Sequence, residues 1–145
     1  MPVEAQPVAA VVDTTGAPGY LSIRDLRKEF DGFVAVDDVN LDVRKGEIMG
    51  VVGGSGTGKS VLMRAIIGLQ TPDEGEIHVF GESMIGRSDD EALAIRKRWG
   101  VLFQGGALFS TLTVAENVEV PIREYYPNIG AELRDEIAAY KIRMT

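Results

Sequence analysis

The feature that most constrains this chain is an apolar run, a glycine-rich loop and an amphipathic helix in immediate succession. Residues 48–52 are apolar or glycine, carry β-branched side chains and are bounded by Gly46 and Gly53. Such a run suits a strand buried on both faces, as in a parallel sheet covered by helices. The next eight residues are Gly53, Gly54, Ser55, Gly56, Thr57, Gly58, Lys59 and Ser60. They fit G-x-x-x-x-G-K-[ST] without an exception. Residues 59–69 then place Leu62, Ala65, Ile66 and Leu69 on one side of a helix, with Gly68 near its end. A glycine-rich turn met by chance would satisfy the bare pattern. The strand in front and the helix behind make it a phosphate cradle.

The chemistry requires that spacing. Glycines let successive backbone N–H groups turn inward around phosphate oxygens, where side chains would obstruct them. A helix opening at the loop adds its unpaired N–H groups and the positive end of its dipole. Lys59 is expected to reach the β- and γ-phosphates of ATP or GTP, and Ser60 to hold Mg2+ through its hydroxyl.

The remaining chain divides by pattern. Residues 1–19 contain three prolines and two glycines and read as a flexible arm, with an edge strand at residues 8–12 as the minor alternative. Residues 20–30 and 34–43 read as two strands about an Asp31-Gly32 turn, forming an antiparallel layer with one wet face. After a turn at residues 72–75, residues 76–80 suit an edge-like strand. Ser88 with Glu91, and Thr113 with Glu116, are capping-box pairs. The first predicts a helix to about Arg98, the second a helix to about Val120 that stops before Pro121. Residues 100–104 read as another short core strand, and residues 129–144 as a last helix.

Composition excludes several classes. The chain has 145 residues, no cysteine and a formal net charge of -7. A disulfide-stapled fold is excluded, a structural zinc site would lack its commonest ligands, and nucleic acid is not expected as a partner. No run approaches the ~20 apolar residues of a membrane span, and no basic region precedes an apolar run at the N-terminus. These features predict a cytoplasmic protein.

Hydrolysis would need a second acidic magnesium ligand and a group that positions water. No apolar strand ending in Asp or Asp-Glu follows the loop, and the sheet would need more strands than residues 61–145 supply. An incomplete nucleotide domain is therefore expected.

The ordered set of motifs resembles the ATP-binding subunit of an ABC transporter, from about Leu21 onward. It comprises Leu26-Arg27-Lys28-Glu29-Phe30, then residues 36–43, Gly46-Glu47, the P-loop, residues 67–77 and Gly81. The resemblance implies an α/β P-loop NTPase of ABC type. Its parts would be an N-terminal antiparallel β-layer, an incomplete parallel core sheet and the start of a helical subdomain. The expected divisions are 1–19, 20–104 and 105–145.

By position, Phe30 matches the family's adenine-stacking aromatic, with Phe33 as the neighbouring candidate. Gln104 matches the glutamine that touches Mg2+ and the water. With Lys59 it forms the expected catalytic pair, and with Ser60 the expected metal pair. The run at residues 101–118 is similar to the Mla-type phospholipid-transport ATPases of Gram-negative bacteria.

The resemblance implies a transmembrane permease, a second copy of the subunit and lipid-carrier components as partners, at the cytoplasmic face of the inner membrane. The serine-glycine-glycine signature, the magnesium aspartate with its catalytic glutamate, and the switch histidine are not found in this sequence. His78 does not match that histidine, and Val61 stands where a second hydroxyl residue is common. Weak nucleotide binding without turnover is expected of the chain alone. A non-hydrolytic nucleotide-sensing module, an ABC ATPase for another substrate and a small-molecule kinase are the alternatives.

Overall fold

The computed structural model describes residues 20–145, so the arm expected at residues 1–19 lies outside the described residues. The chain forms two compact units that divide between Arg98 and Trp99, whereas the sequence reading divides the chain at 104/105. The first unit contains a four-stranded antiparallel sheet, ordered β2-β1-β3-β4. Its strands are β1 (Leu21–Phe30), β2 (Phe33–Val43), β3 (Glu74–Val79) and β4 (Glu82–Ser83). Helices α1 (Lys59–Ile66) and α2 (Asp89–Arg96) complete that unit.

The Asp31-Gly32 turn is formed as its residue types dictate. Both φ angles are positive, 47° and 84°, and Phe30 pairs with Phe33 across it. That is a type I′ hairpin turn, whose twist matches the flanking strands. Phe80 and Gly81, with φ of 54° and 81°, return the chain from β3 to β4 in the same way. This second hairpin corrects the edge-like reading of residues 76–80, because β3 lies between β1 and β4.

Strand alternation is interrupted at a place that no local pattern announces. Ile23 pairs with Leu41 and Leu26 with Val39, so β1 carries one extra residue there. Asp25 occupies it at φ 50°, and its N–H donates to Asn40 Oδ1 at 3.0 Å. The bulge puts Ile23 and Leu26, three residues apart, into the same core. Asp38, at φ 46°, lies within the opposite excess in β2, which lets Lys28 pair with Val36. Gly75 fits beside the bulge, since a Cβ there would lie 2.5 Å from the carbonyl oxygens of both Arg24 and Asp25.

The expected parallel core sheet is not formed among the described residues. Residues 48–52 and 100–104 have no strand assignment, and every strand pairing in the sheet is antiparallel. Ile48 is 98% exposed and Val52 89% exposed. A strand exists only where a neighbour takes its N–H and C=O groups. β-branched composition cannot supply that neighbour. The buried side chains of the first unit belong instead to the antiparallel layer, α1 and α2, with Val36, Leu62, Ile77 and Ile95 almost wholly enclosed.

Both capping boxes are present. Ser88 N–H donates to Glu91 Oε2 at 2.9 Å, and Thr113 N–H to Glu116 Oε2 at 2.7 Å. The helix after Thr113, α3, spans Val114–Tyr125 and passes through Pro121, against the expected stop. Proline removes one helical N–H and costs about 3 kcal/mol in a helix interior. The capping box and the Glu119 ion pairs described below offset that cost. The last helix, α4, spans Ala131–Arg143.

In the second unit α3 and α4 pack against each other. The Glu119 carboxylate is 4% exposed, accepts two hydrogen bonds from Arg123 at 3.1 and 2.6 Å, and lies 4.0 Å from Arg134 Nε. Asn117 fastens the preceding loop to α3. Its Oδ1 accepts from Phe109 N–H at 2.8 Å, while its Nδ2 donates to the Phe109 and Thr113 carbonyls.

Candidate nucleotide site

The loop at residues 53–58 leads into α1 through Gly58, which stands at the N-cap in the left-handed conformation, φ 88°. A Cβ on Gly58 would lie 2.0 Å from the Ala35 carbonyl oxygen, an impossible approach. Gly58 is thus the residue that lets the loop rest directly on β2. The first helical hydrogen bond runs from Leu62 N–H to Gly58 O at 2.8 Å. The amides of Lys59, Ser60 and Val61 precede it and have no intrahelical acceptor, the arrangement that holds anions at helix N-termini.

Lys59 folds back into its own loop. Its Nζ donates to the Gly53 carbonyl at 2.7 Å, to the Gly54 carbonyl and to Thr57 Oγ1 at 3.3 Å. Thr57 Oγ1 in turn donates to Gly54 O at 3.0 Å. The ammonium is therefore positioned inside the loop's curve, on the side where it can meet phosphate oxygens. Ser55 and Gly56 form the exposed crest of the loop, and Ser60 presents an exposed hydroxyl on the first turn of α1.

One shallow cleft joins this loop to the β1–β2 hairpin tip. Phe30, Phe33 and Ala35 line it on one side, Gly56, Gly58, Lys59 and Ser60 on the other. Phe30 is 40% exposed and Phe33 52% exposed, so both rings are open for stacking. The aromatic end and the phosphate end, which the sequence separates by more than twenty residues, thus face a common space.

Phe30 is braced by residues that sequence reading did not single out for the site. Lys28 Nζ lies 5.4 Å from the Phe30 ring centroid and 2.8 Å from Asp73 Oδ1. Asp73 Oδ2 also accepts the Glu29 N–H at 2.7 Å. The Lys28 ammonium first, then the Glu29 amide, hold the Asp73 carboxyl below the usual carboxylate range. Asp73 follows Pro72 in a turn motif, and nothing local in the sequence signals its contact with β1.

Gln104 lies in the second unit, in a turn and exposed. The residues that line the cleft, Phe30, Phe33, Ala35 and Gly56 to Val61, all belong to the first unit. Among the described residues no group of three or more His, Cys, Asp or Glu side chains could hold a metal ion. A magnesium ion would depend on the Ser60 hydroxyl and on phosphate oxygens. An exposed hydroxyl beside a phosphate cradle fits that requirement. Also among the described residues, no helix is long and apolar enough to cross a membrane.

Comparison with known proteins points to one family. A family model described as ABC transporter matches residues 36–144. The methionine import ATP-binding protein MetN of Brucella abortus (strain 2308) is 38% identical over 109 residues, covering 75% of this chain and 29% of MetN. The probable ribonucleotide transport ATP-binding protein mkl of Mycobacterium tuberculosis is 40% identical over 124 residues, covering 84% of this chain and 34% of mkl. Among solved structures, the dimeric ATP-binding cassette MJ0796 in a post-hydrolysis state with ADP and Pi superposes with a TM-score of 0.76 at 31% identity. It covers 86% of this chain and 56% of that one. The cbiO1 protein of Clostridium perfringens shares the fold, with a TM-score of 0.66 at 24% identity, over 83% of this chain and 47% of cbiO1. The chain spans about a third of the length of the curated relatives it matches.

Proposed function

The chain belongs to the ABC transporter family, and on that premise we propose that it supplies the ATP-gripping part of a transporter's energy-coupling subunit. The observation that carries the reading is the single cleft shared by two open phenylalanines and the Lys59–Ser60 phosphate loop. In it, the amides of residues 53–60 and the Lys59 ammonium hold the phosphates. The Ser60 hydroxyl takes a position on Mg2+, and Phe30 stacks on the base with Phe33 beside it. Gln104 is assigned the contact to Mg2+ and the attacking water. ATP hydrolysis requires groups beyond these, including a second copy of the subunit and the regions by which the relatives exceed this chain.

The partners in this reading are a transmembrane permease and the second ATP-binding copy, at the cytoplasmic face of the inner membrane. The transported substrate is a phospholipid or related lipid, delivered with lipid-carrier components. The support for the lipid is the likeness of residues 101–118 to Mla-type ATPases. A second reading, an ABC ATPase serving another substrate, is favoured by the relatives' names, which specify methionine import and ribonucleotide transport.

Titration with a fluorescent ATP analogue and Mg2+ tests the site. Saturable binding is expected, weakened at least tenfold in Lys59→Ala and abolished in Gly58→Ala, where the added Cβ displaces the loop from β2. Equal binding by the parent chain and Lys59→Ala would refute the assignment. Steady ATP turnover by the chain alone would refute the requirement for further groups.

A further inference from the structure

A second cavity lies in the first unit, away from the nucleotide cleft. It occupies about 190 Å³ between the end of α1, the turn after it, the segment following β4, and α2. Its polar lining is Gln70, Thr71, Arg87, Asp89 and Arg96, and Gly68 forms part of its wall. At about 30 Å³ per liquid water, that space holds several waters or one small polyatomic ion.

Arg96 is the unusual member. Its Nε is buried and has no hydrogen-bond partner. Among the described residues its guanidinium also has no ion-pair partner. The nearby end of α1 does not use it. The Met63, Arg64 and Ala65 carbonyls accept instead from the backbone amides of residues 67–70. Arg87 is committed on one edge only, through Nε to the Ser83 carbonyl and Nη2 to Glu82 at 3.7 Å. Arg96 as a whole is partly exposed, but a buried N–H without an acceptor is costly, and a guanidinium fork suits the planar or tetrahedral face of an oxyanion.

We infer that this cavity binds a small oxyanion, a phosphate or a carboxylate, with Arg96 as its principal contact and Arg87 as the second. Asp89 also lines the cavity and reduces, without cancelling, the positive charge that the two arginines offer an anion. Bound there, the anion would join α2 to the end of the helix that begins at Lys59.

The test is an NMR titration of the whole chain with inorganic phosphate and, separately, acetate. Backbone amides of Gly68 and Ala92 report the cavity, and those of Gly56 and Gly58 report the nucleotide loop. Saturable shifts at Gly68 and Ala92 are expected, with the half-saturation concentration raised at least tenfold in Arg96→Gln and the Gly56 response retained. If Arg96→Gln fails to fold, Arg87→Gln is read in the same way, with a threefold rise or more expected. Saturation by phosphate or by acetate identifies which anion is taken. Linear drift at Gly68 and Ala92, shifts unchanged in both variants, or a response at the nucleotide loop only would overturn the proposal.

Discussion

The two units solve the problem of a core in different ways. Up to Arg98, the enclosed side chains are aliphatic and come from strands and helices distant in sequence, such as Ile23, Val39, Leu62 and Ile95. In Trp99–Thr145 the fully enclosed groups among the described residues are the methyl of Ala138 and the carboxylate of Glu119. Leu108, Val114, Leu133 and Met144 are half exposed or more. Burial of apolar area drives folding at about 25 cal/mol per Å², so the first unit draws its stability from packing. The second depends on caps, the Asn117 clamp and an ion pair. Short-range polar devices can specify helices but supply little net free energy.

That contrast can be broken by substitution. Leu26→Ala should have the largest effect, lowering stability by about 3 kcal/mol as a buried large-to-small change. Leu133→Ala, at a half-exposed position of α4, should stay within about 0.5 kcal/mol. Chemical denaturation followed by circular dichroism compares them, and equal losses would dissolve the distinction.

Glu119→Ala comes next, at about 2 kcal/mol. The loss is moderated because Arg123 is half exposed and can return to water. It should reduce helicity in α3 and α4 and leave strand signals intact. Thr113→Ala and Ser88→Ala each remove a cap worth about 1 kcal/mol. The Thr113 change should be the more damaging to its unit, which has less packing to absorb it. Hydrogen exchange of the following helix reads both.

The smallest effect is on acid response. The Arg24 guanidinium holds the Asp42 carboxyl below its ordinary range. The Thr113 amide, then its hydroxyl, do the same for Glu116. A carboxylate whose folded pKa is depressed adds stability that is complete above its unfolded value. That stability is lost as pH falls through the folded value. Both units should therefore weaken below about pH 4. Asp42→Asn should flatten the acid limb of the strand signal, and Glu116→Gln that of the helical signal. An unchanged acid limb in either variant would remove that carboxylate from the account.

Legibility in the sequence followed the range of the interaction. The phosphate loop, the Asp31-Gly32 turn and both capping boxes are written in residues at most eight positions apart, and the structure contains each of them. The parallel strands expected at residues 48–52 and 100–104 are not formed among the described residues, because pairing is decided by a partner strand and not by local composition. Helix α1 stops at Ile66, short of the expected Leu69, since Gly68 turns left-handed at φ 73°. Pro121 was read as a stop on local grounds, while the Glu119 pairs that let α3 continue include Arg134 of the next helix. For the candidate site, the loop was legible, and the structure lines one cleft with it and the phenylalanines expected beside it. The fit of Gly58 to Ala35 and the bracing by Asp73 depend on tertiary placement and left no local signature.

The paired excesses at Asp25 and Asp38 also govern which changes of length the hairpin can absorb. Losing Asp25 alone would move the β1–β2 pairing by one position between the two sites and turn Leu26 toward water. Losing Asp38 alone would move it the other way. Losing both would put Leu21 to Lys28 in one register with β2, with the shift between Lys28 and Glu29 remaining, at the expense of the Asn40 contact and the tight seat of Gly75. The two aspartates thus act as a matched insertion, and single-codon deletion at either should be far more harmful than deletion at both.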